Sequence, residues 1–194
     1  MLKSCAECGE PIELDINTVD GVIKYDKKFY HTWCFCSLCN TKLTSKRCKK
    51  EKWEQALQNI NEIESNTITS LRESIYRDKL NLHLLSNYNI VEVPKRFMMM
   101  INELSVGKHR GRMCKPVQIE LLFNVWSWGQ SNLDKINHNN KKNNKGPTND
   151  SDRLFYDLAI LLKKIPDYIK QVEEEKTNID KFNREADEYF ANIY

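Results

Sequence analysis

The chain has 194 residues, a net charge of +3 and 40% apolar residues, enough to build a core and too many for wholesale disorder. The N-terminus, Met1-Leu2-Lys3-Ser4-Cys5, lacks the apolar stretch of a secretory signal, and no run reaches the roughly 18 apolar residues of a membrane span. Seven cysteines, an odd number clustered as Cys-x-x-Cys pairs, point to metal chemistry in a reducing compartment, so an intracellular protein is expected.

Five of the seven cysteines fall in the first forty residues, as Cys5-Ala6-Glu7-Cys8-Gly9 and His31-Thr32-Trp33-Cys34-Phe35-Cys36-Ser37-Leu38-Cys39-Asn40. Thiolate sulfur and imidazole nitrogen together suit tetrahedral zinc, which takes four such donors at about 2.0–2.3 Å. A two-residue gap lets the backbone turn tightly enough to aim both sulfurs at one ion. Gly9 and Asn40 follow two of these pairs, and Gly and Asn tolerate the positive φ that frees backbone amides to donate to sulfur. Two ligand sets are open: Cys5, Cys8, His31 and Cys34, or Cys5, Cys8, Cys36 and Cys39 facing each other as in a zinc ribbon. Four protein donors leave no position for water, so the zinc is expected to be structural, with one ion favoured over two.

Within this module, expected over residues 1–48, Val22-Ile23-Lys24-Tyr25 and Phe29-Tyr30-His31 flank a polar turn and read as a β-hairpin. The order Cys-x2-Cys, hairpin, His-x2-Cys-Phe, Cys-x2-Cys resembles the front half of a LIM domain, with Phe29-Tyr30 before the His and Phe35 after Cys34. That resemblance implies Cys5, Cys8, His31 and Cys34 as ligands of a first zinc, with Cys36 and Cys39 opening a second site. It covers about a quarter of the chain. Two departures stand out. One residue, not two, separates Cys34 from Cys36, and only Cys48 follows to complete a second site. LIM-like modules bind proteins, which implies a protein partner.

Residues 49–194 read as a helical domain, giving a mainly α fold behind a small β-hairpin zinc module. Trp53, Leu57 and Ile60 recur at helical spacing, Ser65-Asn66-Thr67 is expected to interrupt that helix, and Ser70-Leu71-Arg72-Glu73 has the form of a capping box that opens another. Asn87-Tyr88-Asn89 ends it. Pro94 fits the first turn of a helix through Met98-Met99-Met100 to Leu104, with the methionines in the core. Gly107 closes that helix and leads into a basic loop.

A further helix is expected from Pro116 with Ile119, Leu122, Val125, Trp126 and Trp128 buried. Residues 137–150, low-complexity and rich in Asn and Lys, read as a mobile loop. Ser151 or Asp152 then caps a helix carrying Leu154, Leu158, Leu161 and Ile165, which Pro166 bends or restarts. Ile169, Val172, Ile179, Phe182, Ala186, Tyr189 and Ile193 follow at three- and four-residue steps, a face for a neighbouring helix or a partner.

Positive charge concentrates in residues 1–50 and 94–150. Lys108-His109-Arg110-Gly111-Arg112, with Lys115, is the densest cluster, and Arg forks and Lys ammonium groups suit phosphate. Lys108, Arg110, Arg112 and Lys115 are therefore the candidate nucleic-acid contacts, with Lys46, Arg47, Lys49 and Lys50 assisting. The chain carries no Gly-rich phosphate loop, no Gly-x-Ser-x-Gly, no His-Glu-x-x-His and no deaminase pattern, since Thr32-Trp33 follow His31. The expectation is a non-enzymatic, zinc-stabilised accessory protein that contacts nucleic acid or its machinery. The alternative is a protein-interaction adaptor or inhibitor working through its helical surfaces.

Overall fold

A computed structural model describes residues 2–15, 20–46, 48–109 and 111–191, with side chains to residue 184. It is mainly α, with small two-stranded hairpins, and divides into two compact units, Met1–Lys79 and Leu80–Tyr194.

The first unit opens with β1 (Leu2–Ser4) paired antiparallel to β2 (Pro11–Glu13), then β3 (Val22–Tyr25) paired antiparallel to β4 (Lys28–His31). The β3–β4 register sets Val22 opposite His31 and Ile23 opposite Tyr30. Asp26 (φ 47°) and Lys27 (φ 66°) both take the left-handed conformation that a two-residue hairpin turn needs to match strand twist. Lys52 anchors this turn through a 2.7 Å ion pair to Asp26.

Helix α1 (Thr32–Thr44) follows β4 directly, then α2 (Lys50–Gln58) and the long α3 (Ile60–Asn87). Ile23, Phe35, Cys39 and Ala56 form the buried centre, with Tyr25, Trp53, Leu57 and Ile63 packed against it. Tyr25 stacks tilted on Phe35 at 5.0 Å and on Trp53 at 5.9 Å. A boundary at residue 48 therefore falls too early, because α2 and the start of α3 supply the wall that the hairpin and α1 are buried against.

The expected interruption at Ser65-Asn66-Thr67 is absent, and the break comes at Asn59, between α2 and α3. Thr67 is buried and keeps its helix through two bonds. Its hydroxyl donates to the Ile63 carbonyl at 2.7 Å and accepts the Lys24 N–H at 3.0 Å, tying α3 to β3. Ser70 consequently lies inside a helix and caps nothing.

The second unit takes in the end of α3, α4 (Lys95–Ser105), the hairpin β5 (Lys108–His109) and β6 (Arg112–Met113), α5 (Ile119–Lys142) and α6 (Asp150–Ala191). Leu80, Leu84, Tyr88, Phe97, Trp126 and Leu154 are fully buried in its core. Trp126 sits there as expected, whereas Trp128 is 40% exposed and Met99 64% exposed, so neither is a core residue. The basic segment is a hairpin and not an irregular loop.

Gly107 joins α4 to that hairpin at φ 78°, its N–H donating to the Leu104 carbonyl and its carbonyl accepting the Cys114 N–H at 2.8 Å. A Cβ there would meet the Cys114 carbonyl oxygen at 2.9 Å and Pro116 at 3.1 Å. Gly107→Ala is thus expected to cost about 1–2 kcal/mol in urea unfolding, from left-handed strain plus the clash.

Residues 137–142 are helical, contrary to the expected loop, because Asn137 is an interior residue. It is 5% exposed and donates to the Leu133 carbonyl and to Asp157. The remaining link is short, and Asn149, not Ser151 or Asp152, caps α6 by accepting the Asp152 N–H at 2.8 Å. α6 then runs through Pro166 without a restart.

Asp157 is fully buried at the centre of a polar network. It accepts from the Tyr88 hydroxyl at 2.7 Å, from Asn137 at 3.0 Å and from Arg153 Nε at 3.2 Å, while Trp126 Nε1 donates to the Tyr88 oxygen at 3.2 Å. Every partner is a donor or a cation, so the shell is built for the carboxylate. No described helix is long and apolar enough to cross a membrane.

Candidate metal centre

Four side chains from three local structures meet at one edge of the first unit. Cys5 leaves β1 into a tight turn in which the Gly9 N–H donates to the Cys5 carbonyl at 2.9 Å, and Gly9 takes φ 78° as its position requires. The Ala6 N–H donates to the Phe29 carbonyl at 2.9 Å, which fixes the turn, and with it Cys5 and Cys8, against β4. His31 ends β4 and forms the N-cap of α1, with φ −65° and ψ 143°. Cys34 lies one turn further on in α1, so a strand end and a helix start hold the second donor pair three residues apart.

The ligand atoms of Cys5, Cys8, His31 and Cys34 all lie within 4.8 Å of one another. His31 Nδ1 stands 3.5 Å from Cys8 Sγ and 3.8 Å from Cys34 Sγ. The edge of a tetrahedron with metal–sulfur bonds of about 2.3 Å and a metal–nitrogen bond of about 2.0 Å is roughly 3.6 Å. The cluster is therefore already close to the spacing of a four-coordinate ion, with Nδ1 as the imidazole donor. Among the described residues it is the one group of three or more Cys, His, Asp or Glu side chains close enough to share an ion.

The protonation pattern fits a cation as well. Burial raises the Cys5 thiol, but backbone N–H donors of Cys8, Glu7 and His31 outweigh it and hold that thiol down to about 6. Burial, then the neighbouring Cys8 and Cys5 sulfurs, pushes Cys34 up to about 12. Three thiolates cannot share so small a space without a positive charge between them, and one divalent ion supplies it. The donors are unevenly covered: Cys5 and Cys34 are buried, His31 half-buried and Cys8 exposed.

Cys36 and Cys39 are not brought to this cluster. Both lie in α1, where residues two apart differ by about 200° around the axis, so Cys36 faces away from Cys34. Cys39 is wholly buried in the hydrophobic centre, and burial, then the charge of Cys36, pushes its thiol up. Asn40 is an ordinary helical residue, not a left-handed one. Cys48 is half-buried and Cys114 exposed, both as free thiols.

The basic candidates belong to the second unit. Lys108 in β5, Arg112 in β6 and Lys115 just after it are all exposed, and Arg110 lies outside the described residues. Lys46, Lys49 and Lys50 are exposed at the end of α1 and the start of α2, and Arg47 also lies outside the described residues. The unforeseen polar centre is Asp157 with Tyr88, Asn137 and Arg153, which the sequence signalled only by placing Asp157 beside Leu158 on an otherwise apolar helix face. Comparison with protein-family models, with curated proteins and with solved structures found no match to this chain.

Proposed function

We propose that Cys5, Cys8, His31 and Cys34 hold one Zn²⁺ ion and that this ion is structural. The observation that carries the reading is the closed donor set: three sulfurs and one nitrogen at near-tetrahedral spacing leave no position for water or substrate. Three soft thiolates with one imidazole select zinc over harder divalent cations. The ligand order is that of a LIM front half, while the helical placement of Cys36 and Cys39 supports one ion and no second knuckle.

The wider reading is a non-enzymatic accessory protein in which zinc holds the first unit together and the β5–β6 hairpin meets nucleic-acid phosphate. Its support is that Lys108 and Arg112 on one short hairpin, and Lys115 just after it, are exposed, and none is ion-paired among the described residues. Binding to a fluorescein-labelled mixed-sequence DNA duplex should then weaken with salt, log affinity falling by about 0.9 per unit log salt for each phosphate contact. Arg112→Ala should flatten that slope by about the same amount. A slope that Arg112→Ala leaves unchanged overturns the phosphate assignment. A protein-interaction adaptor is the second reading, favoured by the exposed apolar residues Ile179 and Phe182 of α6.

A further inference from the structure

Helix α6 continues well past the point where its packing on α5 ends. Trp128 of α5 meets α6 there, its ring 5.6 Å from Tyr168 and its Nε1 donating to Gln171 at 2.9 Å. Beyond Gln171 the helix runs on to Ala191, about 20 residues and so about 30 Å. All side chains from 169 to 184 are exposed. A helix segment of this length whose described side chains are exposed is marginal in water, and its stability comes from covering an apolar face.

That face exists, and its period is seven. Val172 and Ile179 take one seam position, and Glu175 and Phe182 the other, three residues on; Ile165 and Tyr168 hold the same register one heptad earlier, where Tyr168 packs on Trp128. The sequence continues the pattern with Ala186, Tyr189 and Ile193. Val172 is 42% exposed, Ile179 59% and Phe182 70%. Glu173, Glu174, Asp180, Lys181 and Arg184 all fall on the side away from the seam. A strict seven-residue repeat means a left-handed coiled coil, and β-branched residues at the first seam position favour two strands.

The residues flanking the seam decide what the second strand is. Ile169, Gln171, Lys176, Asn178, Asn183 and Glu185 carry one charge of each sign among them, whereas a strand meant for an oppositely charged partner would hold one sign there. In a parallel pair, Lys176 of one strand lies beside Gln171 of the other, so nothing on the flanks repels an identical helix. We propose that α6 pairs with α6 of a second copy of this chain as a parallel two-stranded coiled coil, making the protein a homodimer. Glu175 is the one seam residue that opposes this, since it faces its own copy, and it keeps the pair reversible. The inference is independent of the metal and of the phosphate contacts.

The test is sedimentation equilibrium on the full zinc-loaded chain. The wild type should show a concentration-dependent dimer. Phe182→Lys should weaken it at least about tenfold and Glu175→Leu should tighten it at least about tenfold, by removing like charges from the seam. Glu175→Lys mixed with wild type should form heterodimers in preference to either homodimer, because only parallel pairing sets residue 175 against itself. A monomer at every concentration, a dimer that Phe182→Lys and Glu175→Leu leave unchanged, or random mixing with Glu175→Lys each overturns the proposal. Retained hydrogen-exchange protection at the buried Leu84, Phe97 and Trp126 shows that a variant is folded, while helix content should fall when Phe182→Lys dissociates the pair.

Discussion

Removal of zinc is expected to melt the first unit and leave the second folded. Structural zinc in small modules contributes on the order of 10 kcal/mol to folding, because the site does not exist in the unfolded chain. The proposed ion would join the turn after β1 to the end of β4 and the first turn of α1, so three of the pieces around Ile23 and Phe35 meet at its donors. Without it, one edge carries three clustered thiols and the turn at Cys5–Cys8 is held by backbone bonds alone. Residue-resolved hydrogen exchange with a chelator should therefore lose protection at Ile23, Tyr30 and Phe35, while Leu84, Phe97 and Trp126 keep theirs. His31→Ala and Cys34→Ser should reproduce this loss without chelator. Cys36→Ala should keep full zinc content. Retained protection at Ile23 and Phe35 in metal-free protein would show that the apolar centre stands without the ion.

The second large effect lies in the other unit. Asp157→Ala is expected to destabilise it by about 3 kcal/mol, measured by urea unfolding. The variant leaves the Tyr88 hydroxyl buried without its acceptor and the Asn137 amide with only the Leu133 carbonyl, and strips Arg153 of its interior partner. The loss sits at the low end of the range for such pairs because Arg153 keeps Asp134, which is half exposed. Asp157→Asn keeps the volume and costs less, but its amide places donors against donors.

The pH dependence has a definite sign. Burial raises the Asp157 carboxyl above its ordinary 3.8, against the pull of Asn137, Tyr88 and Arg153, which lower it. With the folded value above the unfolded one, the folded state holds more proton in between. The contribution of Asp157 is then fully present below 3.8 and is lost as pH rises through the raised folded value. Asp157→Asn should remove that downward slope from the curve of stability against pH, and an identical slope in the variant would place the titration elsewhere.

The parts of this fold that were legible in the sequence are those set by local spacing. Val22–Tyr25 and Lys28–His31 show alternation around a polar turn, and the structure forms that hairpin. The pairs Cys5/Cys8 and His31/Cys34 pointed to a four-donor site, and these are the donors that meet. What remained hidden depends on contacts between distant segments. Thr67 looks like a helix breaker until the Lys24 amide from β3 reaches its hydroxyl, and Asn137 looks like loop until Asp157 from α6 accepts its amide. Cys36 and Cys39 look like a second knuckle because their spacing is a knuckle's. Their helical backbone, with Phe35 and Cys39 drawn into the hydrophobic centre, decides otherwise.

Zinc-edge X-ray absorption on the purified chain reads the donor set itself. One zinc per chain is expected, with three sulfurs at about 2.3 Å and one imidazole nitrogen at about 2.0 Å. A shell of four sulfurs and no nitrogen would move the ion to Cys36 and Cys39 and contradict it.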